Sequence, residues 1–302
     1  MQLSQLLGND LQHHASLAKY TAARLGGNAE MLYVAKENTE RLAEVVQTAW
    51  ADGIPVRVIG SGANVLIADS GIRGLVIVNR ITEVHFGEWH DGRTVSASAG
   101  MSLTGLSQQA ARRGYSGFEW AVSVPGTLGG AVVNNAGAHG GDMSHSVCDV
   151  VLLDAERGAQ MLFTSDLAYD YRTSSLKQRA DKRFLVLWVN LALPLGDPVS
   201  IRARMEDYQA HRKRTQPAGA SLGSIFKNPL GDYAGRLIEA CNLKGYRIGN
   251  VTVSEKHANF FISEAGATAT DYRALVEYVQ QAVLERTGTQ LETEIELLGW
   301  EG

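Results

Sequence analysis

Residues 31–64 read MLYVAKENTERLAEVVQTAWADGIPVRVIGSGAN. MLYVA is apolar and partly β-branched, and IPVRVI repeats that character at 54–59. Between them Leu42, Val45, Val46 and Ala49 recur at helical spacing, with Thr39 as the cap and Gly53 as the stop. Strand, helix and strand make one βαβ unit, which predicts a parallel pair joined by a right-handed crossover. The second strand runs directly into Gly60, Ser61, Gly62, Ala63 and Asn64. Glycines there let the backbone turn tightly enough for successive N–H groups to face one anion. An ordinary tight turn explains the same residues. The loop is not a dinucleotide fingerprint: the third glycine is absent, no amphipathic helix follows, and the acid expected on a ribose is not at the required distance.

Beyond that loop the pattern changes. GLVIVNRI, HFGEW, RTVSASAG, DVVLLDAE, AQMLFT and FLVLWVNLALP are strand-like runs, interrupted by one clear helix at LTGLSQQAARRG. The middle of the chain is therefore sheet-rich, unlike a doubly wound fold. From about residue 201 helical patterns return in RMEDYQAHRKR, in GRLIEACNLKG with Leu237, Ile238 and Cys241 on one face, and in DYRALVEYVQQAVLERTG. GNVTVS, ANFFIS and LETEIELLG read as strands among them. A domain boundary falls near 198–205, and the class is α+β.

Composition narrows the function. The chain has 302 residues, 45% hydrophobic and 20% charged, with a net charge of −4. That balance argues against a general nucleic-acid binder. The N-terminus lacks the unbroken apolar core of a signal peptide, and no run approaches a membrane span. Cys148 and Cys241 lie far apart in apolar surroundings, which fits a reduced, cytoplasmic protein.

A second glycine-rich stretch, SVPGTLGGAVVNNAGAHGGD, occupies residues 123–142. Read as a long structureless loop it is functional, with ligand against bare backbone; read otherwise it is a set of hairpin turns. Arg172, in AYDYRTSSLKQ, either grips a carboxylate through its fork of donors or sits on the surface. Ser224, in SLGSIFKNP, is a turn or cap serine or a side chain aimed at substrate. Alternation in LETEIELLG puts Glu292, Glu294 and Glu296 opposite Leu291, Ile295 and Leu297, as on a solvated edge. His139, Asp142, His145 and Cys148 match no zinc-ligand pattern, so no metal is expected. No GxSxG hydrolase motif surrounds Ser224.

Together these blocks resemble the UDP-N-acetylenolpyruvoylglucosamine reductases (MurB) from about Tyr20 to Gly299. YTAARLGGNA, IPVRVIGSGANVLIADSGIRGLVI, the 123–142 stretch, YRTSS, GSIFKNP, AGRLIEACNLKGYRIGNVTVSEKHANFFIS and LETEIELLG follow the family's order. The resemblance implies an FAD-binding fold of the vanillyl-alcohol-oxidase (PCMH) type. Its two α/β subdomains would span 1–75 and 76–200, and a C-terminal α/β substrate-binding domain would span 201–302. It implies FAD held by Gly60, Ser61, Gly62, Ala63 and Asn64 together with Pro125, Gly126, Thr127, Gly129, Gly130, Asn135, Ala136 and Gly137. Ala63-Asn64 stands where related oxidases attach flavin through a histidine, so the flavin is expected to be non-covalent.

The resemblance also assigns Arg172, Ser224 and Glu294 as catalytic residues, NADPH as electron donor and a UDP-sugar enolpyruvate as substrate. Lys227, Asn228, His257 and Asn259 are candidate substrate contacts, with Lys256 beside them. A cytoplasmic monomer of the shorter type is expected, without the extra tyrosine loop and without nucleic-acid or membrane partners. His139 stands where the family usually has tyrosine, and Leu176 where phenylalanine is commoner. The competing expectations are a flavoprotein oxidase or dehydrogenase on the same fold, and a flavin-binding homologue without activity.

Overall fold

The computed structural model describes residues 2–87 and 94–300. Glu88 and Trp89 of HFGEW and Arg93 of RTVSASAG lie outside the described residues. The chain forms two compact units. The first comprises Met1–Gln12, Leu32–Ser61 and Gly74–Arg212; the second comprises His13–Met31, Gly62–Arg73 and Lys213–Gly302.

In the first unit the βαβ start is present, with two corrections. The helix spans Thr39–Ala51 and buries Leu42, Val45, Val46 and Ala49, but its cap is Asn38, whose side chain accepts the Arg41 N–H at 2.8 Å. Thr39 instead accepts a hydrogen bond from Trp188 Nε1 at 2.9 Å. Strand Val56–Ile59 does not lie beside strand Asn28–Ala35; the strand Ile72–Asn79 comes between them and pairs in parallel with Val56–Ile59. The reason is burial. All but one residue of Ile72–Asn79 is buried, so that strand needs a neighbour on each edge.

The sheet-rich middle is a five-stranded antiparallel sheet ordered Gly158–Phe163, Val147–Asp154, Phe184–Ala192, Thr94–Ser98, Val84–Phe86. Val95, Ala97, Val150, Leu152, Val189 and Leu191 point into its core, against Leu103, Leu106 and Ala110 of the helix Leu103–Arg112. The expectation of a structureless 123–142 loop fails. The helix Leu128–Asn134 occupies its centre, and a hairpin of Gly137–Ala138 with Gly141–Asp142 follows. Leu128, Ala131 and Val132 supply a buried helical face, and Asn135 at φ +43° ends the helix in the left-handed region.

The second unit packs the helices Ala234–Ala240 and Ala269–Thr287 around Phe226, Phe261, Tyr272, Leu275 and Val279. Leu237, Ile238 and Cys241 are buried together, as the helical spacing predicts. Three short antiparallel strands, Arg247–Ile248, Val251–Val253 and Phe261–Ser263, form one sheet. Val65–Ile67 pairs in parallel with Glu296–Leu298. The terminal strand is thus shorter than LETEIELLG suggests. Residues 291–295 precede it, so alternation breaks: Leu291 and Ile295 are buried while Leu297 is exposed. Among the described residues no helix is long and apolar enough to cross a membrane, and no cluster of metal-ligating side chains occurs.

Candidate active site

In the first unit the two glycine loops meet. Gly60 packs so closely on Thr127 that a Cβ there would lie 2.1 Å from the threonine Oγ1. Ser61 follows, and its Oγ is buried with no hydrogen-bond partner among the described residues. A buried hydroxyl of this kind requires a partner, and a ligand held against the loop would supply one. Gly126 adopts φ +134°, and its carbonyl accepts the Leu103 N–H at 3.2 Å. Gly129 donates to Ala99 O at 2.8 Å and lies against the Ala99 side chain, leaving no room for a Cβ. Pro125 and Gly130 are exposed, and the Gly130 carbonyl accepts from Asn134 Nδ2 at 3.0 Å. Bare backbone at closely packed turns, with an orphaned buried hydroxyl among them, fits a flavin dinucleotide.

The end of the second loop is tied to Arg172. The guanidinium donates to the carbonyls of Gly137, at 2.7 Å, and Asn135, at 3.4 Å. Arg172 itself sits at φ +55°, a conformation held in part by Lys177, whose Nζ donates to Arg172 O at 3.3 Å and to Asn134 Oδ1 at 2.7 Å. The Asn135 side chain bridges Asp170 O and Ser144 N, at 3.0 and 3.1 Å. Ala136 closes the segment by donating to Ala131 O and accepting from Met143. Arg172 is therefore half-buried and anchored on the glycine loop.

Three features near these loops carry weak sequence signals. The His139 ring stacks on Tyr208 at 4.2 Å, and its Nε2 lies 3.0 Å from Ser123 Oγ. Burial, helped by His211 and Arg212, lowers the His139 pKa and keeps the imidazole neutral at pH 7. Trp120 Nε1 and Tyr169 OH are also buried without a hydrogen-bond partner among the described residues, and burial raises the Tyr169 pKa. Leu176, the other departure, is an ordinary core residue at 2% exposure.

In the second unit the segment Ser224–Lys227 is threaded between two others. On one side Ser224 bridges Phe260, and the Ile225 N–H donates to Asn259 O at 2.9 Å. On the other, Glu294 N donates to Ile225 O at 2.8 Å, Phe226 bridges Thr293, and Lys227 N donates to Glu292 O at 2.9 Å. Ser224 and half-buried Glu294 are thus placed together. Asn64 joins them: its Nδ2 donates to Glu294 O at 3.1 Å, and its carbonyl accepts from Glu296 N at 2.9 Å. Gly62 lies against Tyr20 O, where a Cβ would come within 2.2 Å, while Ala63 is half-buried beside it. Gly223, at φ +77°, lets the chain turn just before Ser224.

Ser224 opens on a cavity of about 420 Å³ lined also by Asn228, Tyr233, Arg236, Glu239, Lys256, His257 and Asn259. Arg236, which is ion-paired with Asp232, and Lys256 bring positive charge to the wall, Glu239 offsets part of it, and with the polar groups they suit a nucleotide diphosphate. Burial pushes the His257 pKa down, and its Nδ1 accepts the Asn259 N–H at 3.3 Å, so the ring is neutral with its proton on Nε2. Lys227 is ion-paired with Glu292 at 3.1 Å. The Asn228 Oδ1 accepts the Ala234 N–H at 3.1 Å, at the start of the helix Ala234–Ala240. Asn259 also lines the cavity, but it is only 3% exposed and both polar atoms of its carboxamide are bound to the backbone of Phe226.

Residues 215–298 match the C-terminal domain of UDP-N-acetylenolpyruvoylglucosamine reductases, and residues 31–156 match an FAD binding domain. UDP-N-acetylenolpyruvoylglucosamine reductase 2 of Symbiobacterium thermophilum is 39% identical over 94% of this chain and 90% of its own length. The reductase of Streptococcus pneumoniae is 40% identical over 98% of this chain and 97% of its own. The chain belongs to the UDP-N-acetylenolpyruvoylglucosamine reductase family. The crystal structure of the Thermus caldophilus reductase superposes with a TM-score of 0.78 at 33% identity, covering 94% of this chain and 97% of that one. As a member of this reductase family the chain is an oxidoreductase with FAD as its cofactor, and its α+β fold combines an FAD binding domain with the family's C-terminal domain.

Proposed function

We propose that Ser224 is the proton donor, and Arg172 and Glu294 the charge-stabilising residues, in the reduction of UDP-N-acetylglucosamine enolpyruvate to UDP-N-acetylmuramate. That reduction is a step of peptidoglycan precursor synthesis. Residues 1–75 and 76–200 are taken to serve the flavin, and 201–302 the substrate. NADPH is the electron donor, and the enzyme works as a monomer in the cytoplasm.

The substrate's vinyl ether is conjugated to a carboxylate. FAD, held by the two glycine loops and reduced by NADPH, would supply the hydride that the terminal methylene carbon takes up. The electron pair of the double bond then moves to the neighbouring carbon and into the carboxylate. Arg172 stabilises that charge as it develops, through a guanidinium already oriented by Asn135 and Gly137. Glu294 assists from the segment beside Ser224. Ser224 then transfers its hydroxyl proton to the carbanionic carbon, forming the C–H bond of the D-lactyl ether, and recovers a proton from solvent. A serine hydroxyl is a weak acid in water, but its acceptor here is a very strong base. Position therefore decides the rate.

The observation that carries this reading is Ser224 itself. It is held at a cavity wall by hydrogen-bonded neighbours on both sides, with a nucleotide-sized cavity of polar and charged side chains in front of it. Arg236 and Lys256, with neutral His257, suit the UDP moiety there.

The test follows the flavin's visible absorption anaerobically as NADPH and then UDP-N-acetylglucosamine enolpyruvate are added. Bleaching by NADPH and recovery on substrate is the expected result. Bleaching without recovery would give the flavin another acceptor and overturn the substrate assignment.

A further inference from the structure

Asn259 has no reason to be buried as a carboxamide unless its polar atoms have work there, because burying an unpaired amide is costly. At 3% exposure its Oδ1 accepts the Phe226 N–H at 2.9 Å and its Nδ2 donates to the Phe226 C=O at 2.8 Å. Its own main-chain carbonyl accepts the Ile225 N–H at 2.9 Å. One residue thus fixes both polar groups of Phe226 and one of Ile225, the two residues that follow Ser224. The far side of the same peptides is bound to Glu294 N and to the Thr293 bridge. Phe226 is also packed edge-on to Phe261 at 6.1 Å, so the segment slides only if these contacts break together.

We propose that Asn259 is a positioning residue of the reductase: it sets the register of the Ser224–Phe226 segment against Glu292–Glu294 and so aims the Ser224 hydroxyl. It acts through Ser224 and does not touch substrate. The proposal rests on the reading of Ser224 as the proton donor. The carboxamide's one acceptor and one donor match the N–H and C=O of Phe226. Serine or alanine is too short to reach both groups, glutamine is a methylene too long, and leucine matches the shape but supplies neither bond.

The experiment compares the FAD-loaded Asn259→Leu and Asn259→Asp enzymes with wild type, alone and combined with Ser224→Ala. Each half-reaction is followed anaerobically by stopped flow. A displacement of the order of 1 Å at a reacting group costs about 100-fold. In Asn259→Leu the oxidation of the flavin by substrate should slow about 100-fold, while its reduction by NADPH stays within about twofold. A general loss of structure would slow both. In the Ser224→Ala background the same substitution should cost less than about threefold, because there is no hydroxyl left to aim.

Asn259→Asp guards against a leucine variant that does not fold. Its carboxylate repels the Phe226 carbonyl, but its protonated form restores one donor and one acceptor. Burial raises the pKa of such a carboxyl, so the oxidative half-reaction should recover, relative to wild type, as pH is lowered towards 5. Equal slowing with and without the Ser224 hydroxyl, or equal slowing of both half-reactions, would overturn the positioning role while leaving Ser224 in place. A Ser224→Ala enzyme with a normal oxidative half-reaction would instead overturn the Ser224 reading on which the proposal stands.

Discussion

Replacing Gly60 with alanine probes the contact that joins the two glycine loops. The added Cβ would stand 2.1 Å from Thr127 Oγ1, 2.7 Å from Cγ2 and 2.9 Å from Cβ. Rotation of the threonine can relieve the first two contacts. It cannot move Cβ, which the backbone fixes. Non-bonded carbons settle near 3.5 Å, so the loops must part by about 0.6 Å. Overpacking of this kind costs about 1–3 kcal/mol. Backbone strain adds nothing, since Gly60 is absent from the positive-φ glycines. At about 2–4 °C per kcal/mol for a unit of this size, the melting temperature should fall by about 2–12 °C.

FAD affinity, measured by fluorescence as flavin is titrated into the apoprotein, should fall about tenfold or more, an energy of about 1.4 kcal/mol. Adding Thr127→Gly removes the three atoms nearest the new methyl. That side chain makes no cap hydrogen bond to its helix, so its loss adds little of its own. The double variant should recover most of the melting temperature and flavin affinity. Gly60→Ala protein with unchanged melting temperature and unchanged flavin affinity would refute the reasoning.

Other perturbations read other parts of the structure. Arg172→Lys keeps the charge but loses the fork that spans Asn135 and Gly137. Steady-state kcat should fall about 100-fold with flavin content unchanged, and a variant near wild-type kcat would remove Arg172 from the chemistry. Glu119→Gln weakens a carboxylate that accepts from Arg204, Ser116 and Gly117 at 2.6, 2.9 and 2.7 Å. Burial favours the neutral acid there, but these bonds outweigh it and hold the pKa below its ordinary 4.5. A depressed carboxylate contributes stability above its unfolded pKa and loses it as pH falls through its folded one. The variant should therefore be less stable than wild type at pH 7 by about 1–2 kcal/mol, Arg204 being partly exposed. The gap in melting temperature should narrow progressively as pH falls below the ordinary 4.5; a gap independent of pH through the acid range would contradict this. Asn228→Ala removes the Oδ1 that accepts the Ala234 N–H and should destabilise the protein by about 1 kcal/mol, which denaturant unfolding followed by circular dichroism reads directly.

Much of the architecture was legible because burial writes itself into periodicity. Leu42, Val45, Val46 and Ala49 announce a helix, and the apolar runs DVVLLDAE and FLVLWVNLALP announce the strands Val147–Asp154 and Phe184–Ala192. What periodicity does not encode is neighbour order. Nothing in MLYVA or IPVRVI says that Ile72–Asn79 will be inserted between them, since that follows from burial on both faces of a later strand. The glycine stretch at 123–142 concealed the helix Leu128–Asn134, because glycine's low propensity outweighed three apolar residues at helical spacing.

At the site, Ser224 and Arg172 could be singled out only within the succession of family blocks, since each alone is an ordinary turn or surface residue. Asn259 shows the opposite limit. Its residue type fits a substrate contact as well as a structural one, and its bonds to Phe226 are visible only in the structure. Asn38 rather than Thr39 caps its helix for a related reason: both are good caps, and the choice turns on a Trp188 side chain about 150 residues away that claims the threonine hydroxyl.

The central claim is that the Ser224 hydroxyl delivers the proton. It is tested most directly by a single turnover of the Ser224→Ala enzyme, its FAD already reduced by NADPH, against UDP-N-acetylglucosamine enolpyruvate. An interaction made only in the transition state lowers kcat and leaves substrate binding nearly unchanged. The account predicts flavin reoxidation slowed by about 1,000-fold or more, with the substrate concentration for half-saturation altered by less than about threefold. Reoxidation at close to the wild-type rate would contradict it.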